Sequence, residues 1–192
     1  MYINRHQPKI HNIMPHIHTN PGEHDQTASA FIIRTDTSEP KLLLHIHKKL
    51  GVLLQPGGHI ELKETPWQAV CHEIIEETGY ELSQLKILQP QLRLKNIGTA
   101  ILHPQPVVSC TTIYGNNDLH KHTDLSYAFT TQETPKGTPG ENESINLRWV
   151  NLEELKSLES NQIFDNVRKI GEFILTKVLN SWEQVELSEF KL

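Results

Sequence analysis

The chain has 192 residues, 36% of them apolar and 21% charged, which is the composition of one globular domain able to bury roughly 70% of the surface its unfolded form exposes without a metal or disulfide staple. A formal net charge of −5 argues against a general nucleic-acid binder, whose footprint would be basic, and leaves room for a small basic pocket that takes a phosphorylated metabolite. No apolar run approaches a membrane span, the N-terminus has no apolar stretch of the secretory kind, and Cys71 and Cys110 make no disulfide framework, so a reduced cytoplasmic compartment is expected.

Residues 1–27 are polar, carry Pro8, Pro15 and Pro21, and show no period. They read as an irregular N-terminal arm ahead of a domain over 28–192. Five of the 12 histidines lie in the arm: His6, His11, His16, His18 and His24. His16 and His18 would share a face if extended. No carboxylate or thiol accompanies them at ligand spacing, so the pair reads as part of a polar arm.

Residues 28–35 (ASAFIIRT) read as a strand and 36–40 as a turn. Residues 41–49 (KLLLHIHKK) alternate, with Leu42, Leu44 and Ile46 on one face and His45 and His47 as sheet-surface residues on the other. Residues 53–61 carry Pro56-Gly57-Gly58, a backbone feature that a simple strand would not choose. Beyond a helix come strands at Leu92 and Leu94, over 107–114, and over 124–131, where Leu125, Tyr127 and Phe129 alternate. Pro and Gly make 134–142 (TPKGTPGEN) a flexible loop. Ile145, Leu147 and Trp149 mark another strand, and Asn151 with Glu154 caps a short helix. A long helix over 161–182 keeps Ile163, Val167, Ile170, Ile174 and Val178 on one face. The order is mixed α/β, with one central and one terminal helix.

The central helix is bounded by its own chemistry. Thr65 is a good N-cap, Pro66 suits the first helical position, Gln68 completes a capping box and Gly79 suits the C-terminal cap. At helical spacing Trp67, Val70, Cys71, Ile74 and Ile75 fall on one side, while Glu73, Glu76 and Glu77 converge on the other. Like charges three and four residues apart destabilise a helix by a few tenths of a kcal/mol per pair. A divalent cation would offset that cost, and clustered carboxylate oxygens suit Mg²⁺ or Mn²⁺ rather than Zn²⁺. A solvated acidic face is the plainer alternative. The preceding Gly57-Gly58 permits close approach of a ligand, and Glu64 lies where its charge favours the positive end of the helix dipole.

Residues 58–80 thus space as G-x5-E-x7-H-E-I-x-E-E-x-G-Y. This closely resembles the Nudix hydrolase signature, G-x5-E-x7-R-E-U-x-E-E-x-G-U, where U is bulky and apolar. Gly58, Glu64, Glu73, Ile74, Glu76, Glu77 and Gly79 match, Tyr80 fits the last position loosely, and His72 stands where the family has Arg. LLLHIHKK, LLQPGGHIE, HTDLSYAF at 122–129 and ESINLRWVNLEEL at 143–155 also look like Nudix strands in their usual order.

The resemblance implies an α/β/α sandwich around a mixed β-sheet, with the signature as a loop–helix–loop. It implies Mg²⁺ or Mn²⁺ held mainly by Glu73, Glu76 and Glu77. The implied reaction is hydrolysis of a nucleoside diphosphate linked to another moiety, with water attacking a diphosphate phosphorus. Glu73 and Glu76 are the candidate catalytic residues, and Glu76 is the candidate base within the signature. Glu133, Glu141 and Glu143 are candidates for a base outside it. The expected partner is a small nucleotide-type diphosphate, with no nucleic acid or membrane; a homodimer is left open. Residues outside the signature do not mark a substrate. Neither the SQPWPFPxS tract of NADH-type members nor the proline that follows the signature in many ADP-ribose enzymes is present. His122-x-Asp124 either faces the cleft or caps a turn, the turn being the commoner use. Tyr114, Tyr127 and Trp149 are placed to stack on a base, but aromatics at strand spacing are more often core. Two competing readings remain. One is a catalytically impaired module of this fold that binds nucleotides, for which His72 is the argument. The other is an isoprenoid diphosphate isomerase, whose required cysteine is missing from LQPGGH at 54–59.

Overall fold

The structure is a computed structural model that describes residues 23–114 and 120–192. His6, His11, His16 and His18 therefore lie outside the described residues. Among the described residues, nine strands form one sheet: β1 (His24–Arg34), β2 (Lys41–Ile46), β3 (Leu53–Leu54), β4 (Gly57–His59), β5 (Lys86–Gln89), β6 (Val108–Tyr114), β7 (His120–Thr131), β8 (Leu147–Val150) and β9 (Glu183–Glu186). The helices are α1 (Pro66–Thr78), α2 (Leu152–Ser157) and α3 (Asp165–Phe173), the last running on through a π turn at Ile174–Val178 to Leu179–Ser181.

The main path runs β3-β2-β1-β7-β5-β9, with β4 also paired to β1, β6 to β7 and β8 to β2. β1 and β7 are parallel, while every other named pairing is antiparallel, so the sheet is mixed. Its two faces carry separate cores. Ala28, Ala30, Ile32, Leu43, Ile87, Tyr127 and Phe129 pack with Trp67, Val70 and Ile74 of α1. Phe31, Ile33, Leu42, Leu44 and Ala128 pack with Leu155 of α2 and with Val167, Ile174 and Val178 at the C-terminal helix. Strands buried on both sides by helices give the expected α/β/α sandwich. Trp67 anchors the α1 layer, with its ring 6.2 Å from Phe129, 6.1 Å from Tyr127 and 6.0 Å from Phe190.

Several expectations are corrected. β1 begins at His24, so the last residues assigned to the arm are already in the sheet. Leu92 and Leu94 are not in a strand: they are 96% and 67% exposed, and the strand is Lys86–Gln89, ended by Pro90, which cannot donate to a ladder. Ile75 and Ile46 do not face the core, being 48% and 42% exposed. Ile145 is exposed, and its strand starts at Leu147. The last helix starts at Asp165, because Ile163 instead bridges to Leu53. β9 gives no alternating apolar signal; it is a polar edge strand paired with β5. Both cysteines are free, and Cys71 is buried in the α1 core as expected.

Candidate active site

Helix α1 is set by local chemistry and then locked by contact. The Thr65 side chain accepts from the Gln68 N–H, the Gln68 side chain accepts from the Thr65 N–H, and Gly79 takes the left-handed conformation at φ 72°. The loop expected to be flexible is tied to the end of this helix. The Gly137 N–H donates to the Gly79 carbonyl at 2.9 Å, and the Gly140 N–H donates to the Glu76 carbonyl at 2.8 Å. These bonds satisfy carbonyls that a helix end leaves without partners, and they hold the segment that carries Glu143.

The carboxylates of α1 meet the Gly57-Gly58 loop at one wall of a cleft of about 600 Å³. The Gly57 N–H donates to Glu77 Oε2 at 2.7 Å. Gly58 lies so close to Glu73 that a Cβ there would stand 2.0 Å from Glu73 Oε1. Only a residue without a side chain permits that approach. Glu77 is 8% exposed, unlike the solvated face of the plainer reading. Burial pushes the Glu73 carboxyl up to about 7. Burial, with repulsion from Glu73, pushes Glu77 up to about 8. A buried carboxyl and a half-buried one that resist ionisation beside a third are a site short of positive charge.

His72 takes the Arg position by bridging. Its Nδ1 lies 3.2 Å from Glu64 Oε1, and its Nε2 lies 3.0 Å from Glu76 Oε1. The hydrogen bond to Glu76 chiefly raises the imidazole pKa above its ordinary value. Glu76 is exposed on the cleft side of the helix. Gly58, Glu64, His72, Glu73, Glu76 and Glu77 thus share one cleft.

Of the candidates outside the signature, Glu143 lines that cleft with Asn142 and Ser144. Glu133 is occupied elsewhere: its carboxylate accepts from Gln84 Nε2 at 3.1 Å, and its carbonyl accepts from the Tyr80 hydroxyl at 2.7 Å. Glu141 is exposed, and neither it nor Glu133 is among the cleft-lining residues. The same contact explains Tyr80, which is fully buried with its hydroxyl used.

The strands also supply polar side chains to the cleft. His122 and Asp124 sit within β7 and line the cleft, so the turn reading fails. Asp124 accepts from Thr27 at 2.8 Å, Ser29 at 2.7 Å and Ser126 at 2.5 Å. His45 is not a surface residue. It is 2% exposed, its Nε2 is 3.9 Å from Glu77 Oε1, and burial pushes its pKa down to about 4, which keeps it neutral. β2 is a central strand covered on both faces, so alternation there does not separate inside from outside. Tyr127 is core, and Trp149 packs against the same cluster, so neither is a free stacking surface. The Tyr114 side chain lies outside the description. Lys48 and Lys49 stand among the cleft-lining residues. No described helix is long and apolar enough to cross a membrane.

The family model for the NUDIX domain matches residues 24–169. Among solved structures, a NUDIX-family hydrolase from Clostridium perfringens is 29% identical over 79% of this chain and 95% of its own, with a TM-score of 0.62. A NUDIX hydrolase from Nitrosomonas europaea is 17% identical over 88% and 97%, with a TM-score of 0.58. The C. elegans Ap4A hydrolase is 17% identical over 79% and 94%, with a TM-score of 0.52. The last two likenesses concern the fold. No curated protein matches the chain.

Proposed function

The chain belongs to the NUDIX family, hydrolases that act on acid anhydrides and generally need divalent metal ions, and on that premise we propose that it cleaves a nucleoside diphosphate linked to another moiety, using Mg²⁺ or Mn²⁺ at Glu73, Glu76 and Glu77. The observation that carries this reading is the convergence of three α1 carboxylates and the Gly57-Gly58 loop on one cleft wall. The donor set fits the ion: hard oxygens, two of them on carboxyls whose raised pKa values mark uncompensated negative charge. When bound, the ion supplies charge neutralisation of the diphosphate and a more acidic water.

The remaining chemistry belongs to the chain. A water oxygen attacks phosphorus, the bridging P–O bond breaks, and the water's proton passes to a carboxylate. Glu76 is the proposed acceptor within the signature. It is exposed to the cleft and held by His72. Glu143, on the facing segment, is the acceptor proposed outside it. Glu73 and Glu77 are held by the loop on one side and the helix on the other, so their oxygens are oriented before substrate arrives. Lys48 and Lys49 offer the positive charge that the cleft needs to receive an anion.

No observation favours the impaired module, since His72 still reaches the carboxylates that an Arg would reach. The test is a hydrolysis screen with Mg²⁺, its nucleoside monophosphate products separated by chromatography, over ADP-ribose, dinucleoside polyphosphates, nucleotide sugars and oxidised deoxynucleoside triphosphates, run beside Glu76→Gln. Turnover on at least one class, reduced about 100-fold or more in the variant, is expected. Binding of these ligands with no turnover in the wild type would instead support the impaired module.

A further inference from the structure

A second group of ligand-type side chains stands beside the first site, built from different strands. Asp25 on β1 is 1% exposed. Its Oδ2 lies 3.4 Å from His59 Nε2 on β4 and 3.2 Å from His120 Nε2 on β7. His122 joins them: its ring packs edge to face at 4.9 Å from His59 and 4.8 Å from His120. One donor atom each from Asp25, His59 and His122 falls within 4.8 Å of the others.

The ladders dictate this meeting. In the parallel β1–β7 register Asp25 lies directly beside His122, and in the antiparallel β1–β4 register His59 pairs with Thr27, two residues along from Asp25. Alternate strand residues share a face, so Asp25 and Thr27 point the same way, as do His120 and His122. Strands fix such a group more tightly than loops do.

We propose that Asp25, His59 and His122 bind a zinc-class ion as three protein donors, with the fourth position open to water. Imidazole nitrogens with one carboxylate suit Zn²⁺ and its transition-metal neighbours, whereas Mg²⁺ takes oxygen. Donors at about 2.0–2.1 Å from a tetrahedral ion stand about 3.3–3.4 Å apart. The Asp25–His59 distance of 3.4 Å matches that edge, and His122 brings its donor within 4.8 Å of both. His59 follows Gly58 directly, so an ion here would tie β1, β4 and β7 together and brace the loop against which Glu73 and Glu77 rest. This site is independent of the hydrolytic reading, because none of its donors is a signature carboxylate.

The test uses the full chain without a histidine tag, equilibrated in excess Mg²⁺ to fill the glutamate face. Zn²⁺ affinity is read by competition with a chromophoric chelator, and Co²⁺ replaces Zn²⁺ for the visible spectrum. Expected are one tight Zn²⁺ per chain, an intense tetrahedral Co²⁺ spectrum, and affinity at least about 100-fold weaker in His59→Gln and His122→Gln. Glu76→Gln should leave zinc binding unchanged. Wild-type zinc affinity in both histidine variants would overturn the site, as would loss of zinc in His16→Gln/His18→Gln with retention in His59→Gln. The weak spectrum of six-coordinate Co²⁺ in the wild type would overturn it even if the variants failed to fold.

Discussion

Replacing Gly58 with Ala separates catalytic positioning from folding. The added methyl would stand 2.0 Å from Glu73 Oε1 and 2.7 Å from its carboxyl carbon, where ordinary contact begins at 3.4 Å. The carboxylate must therefore retreat by more than an ångström. Glu73 is a flexible side chain, so the retreat costs about 0.5–1.5 kcal/mol if it forces an off-rotamer torsion. In a chain of this size that lowers Tm by only a few degrees. A displacement of that size at a reacting centre costs about 100-fold in turnover. Gly57→Ala should behave oppositely. Its Cβ meets backbone, the Ala28 carbonyl oxygen at 2.5 Å and the Ser29 Cα at 2.8 Å, at a φ of +151°. Backbone cannot step aside, so on the order of 3 kcal/mol of stability should be lost along with the β1–β4 pairing. Nucleoside monophosphate formation against Mg²⁺ concentration, measured beside thermal melts, distinguishes the two variants. A Gly58→Ala protein with wild-type turnover and wild-type Mg²⁺ dependence would refute the claim that Glu73 is held against the loop for catalysis.

His72→Ala should lower kcat/KM by about tenfold, since it frees Glu76 from a 3.0 Å partner; His72→Arg should keep or raise it, and a folded, metal-binding but inactive His72→Arg would show a role peculiar to the imidazole. Mg²⁺ affinity, followed by calorimetry, should rise between pH 6 and 8, because Glu73 and Glu77 with pKa values near about 7 and about 8 hold protons that the cation must displace. The same raised values mean that the metal-free fold loses stability as pH climbs from the ordinary carboxyl range toward about 8, so stabilisation by Mg²⁺ should grow over that window, and a pH-independent Tm shift would contradict it. Cys71, pushed up to about 12 by burial, should resist iodoacetamide at pH 8, where about one molecule in 10⁴ carries its thiolate; rapid native labelling at Cys71, mapped by mass spectrometry, would show that the α1 core opens readily.

What the sequence disclosed and what it withheld divide along the range of the interactions. The ends of α1 were legible because Thr65, Gln68 and Gly79 act within one helical turn of the boundary they set. The carboxylate face was legible for the same reason, since its members lie three and four residues apart. Glu77's burial was not, because it depends on the Gly57 N–H reaching it across the fold. The 134–142 loop looked flexible because glycine and proline report only local freedom; the bonds from Gly137 and Gly140 to α1 are tertiary. His45 looked external because alternation assumes one wet face, and β2 has none. The Asp25, His59 and His122 group had no local signal at all, since it exists only when the β1–β4 and β1–β7 registers are both set. A one-residue slip in either register would send one member to the other face of the sheet. The wall that carries the signature is therefore written in one helix and its loop, while the polar side chains that the strands supply are written in strand pairing. Substitutions that weaken β1–β7 pairing should accordingly disturb the Asp25 and Asp124 groups before they disturb α1, whose caps need no strand partner to form.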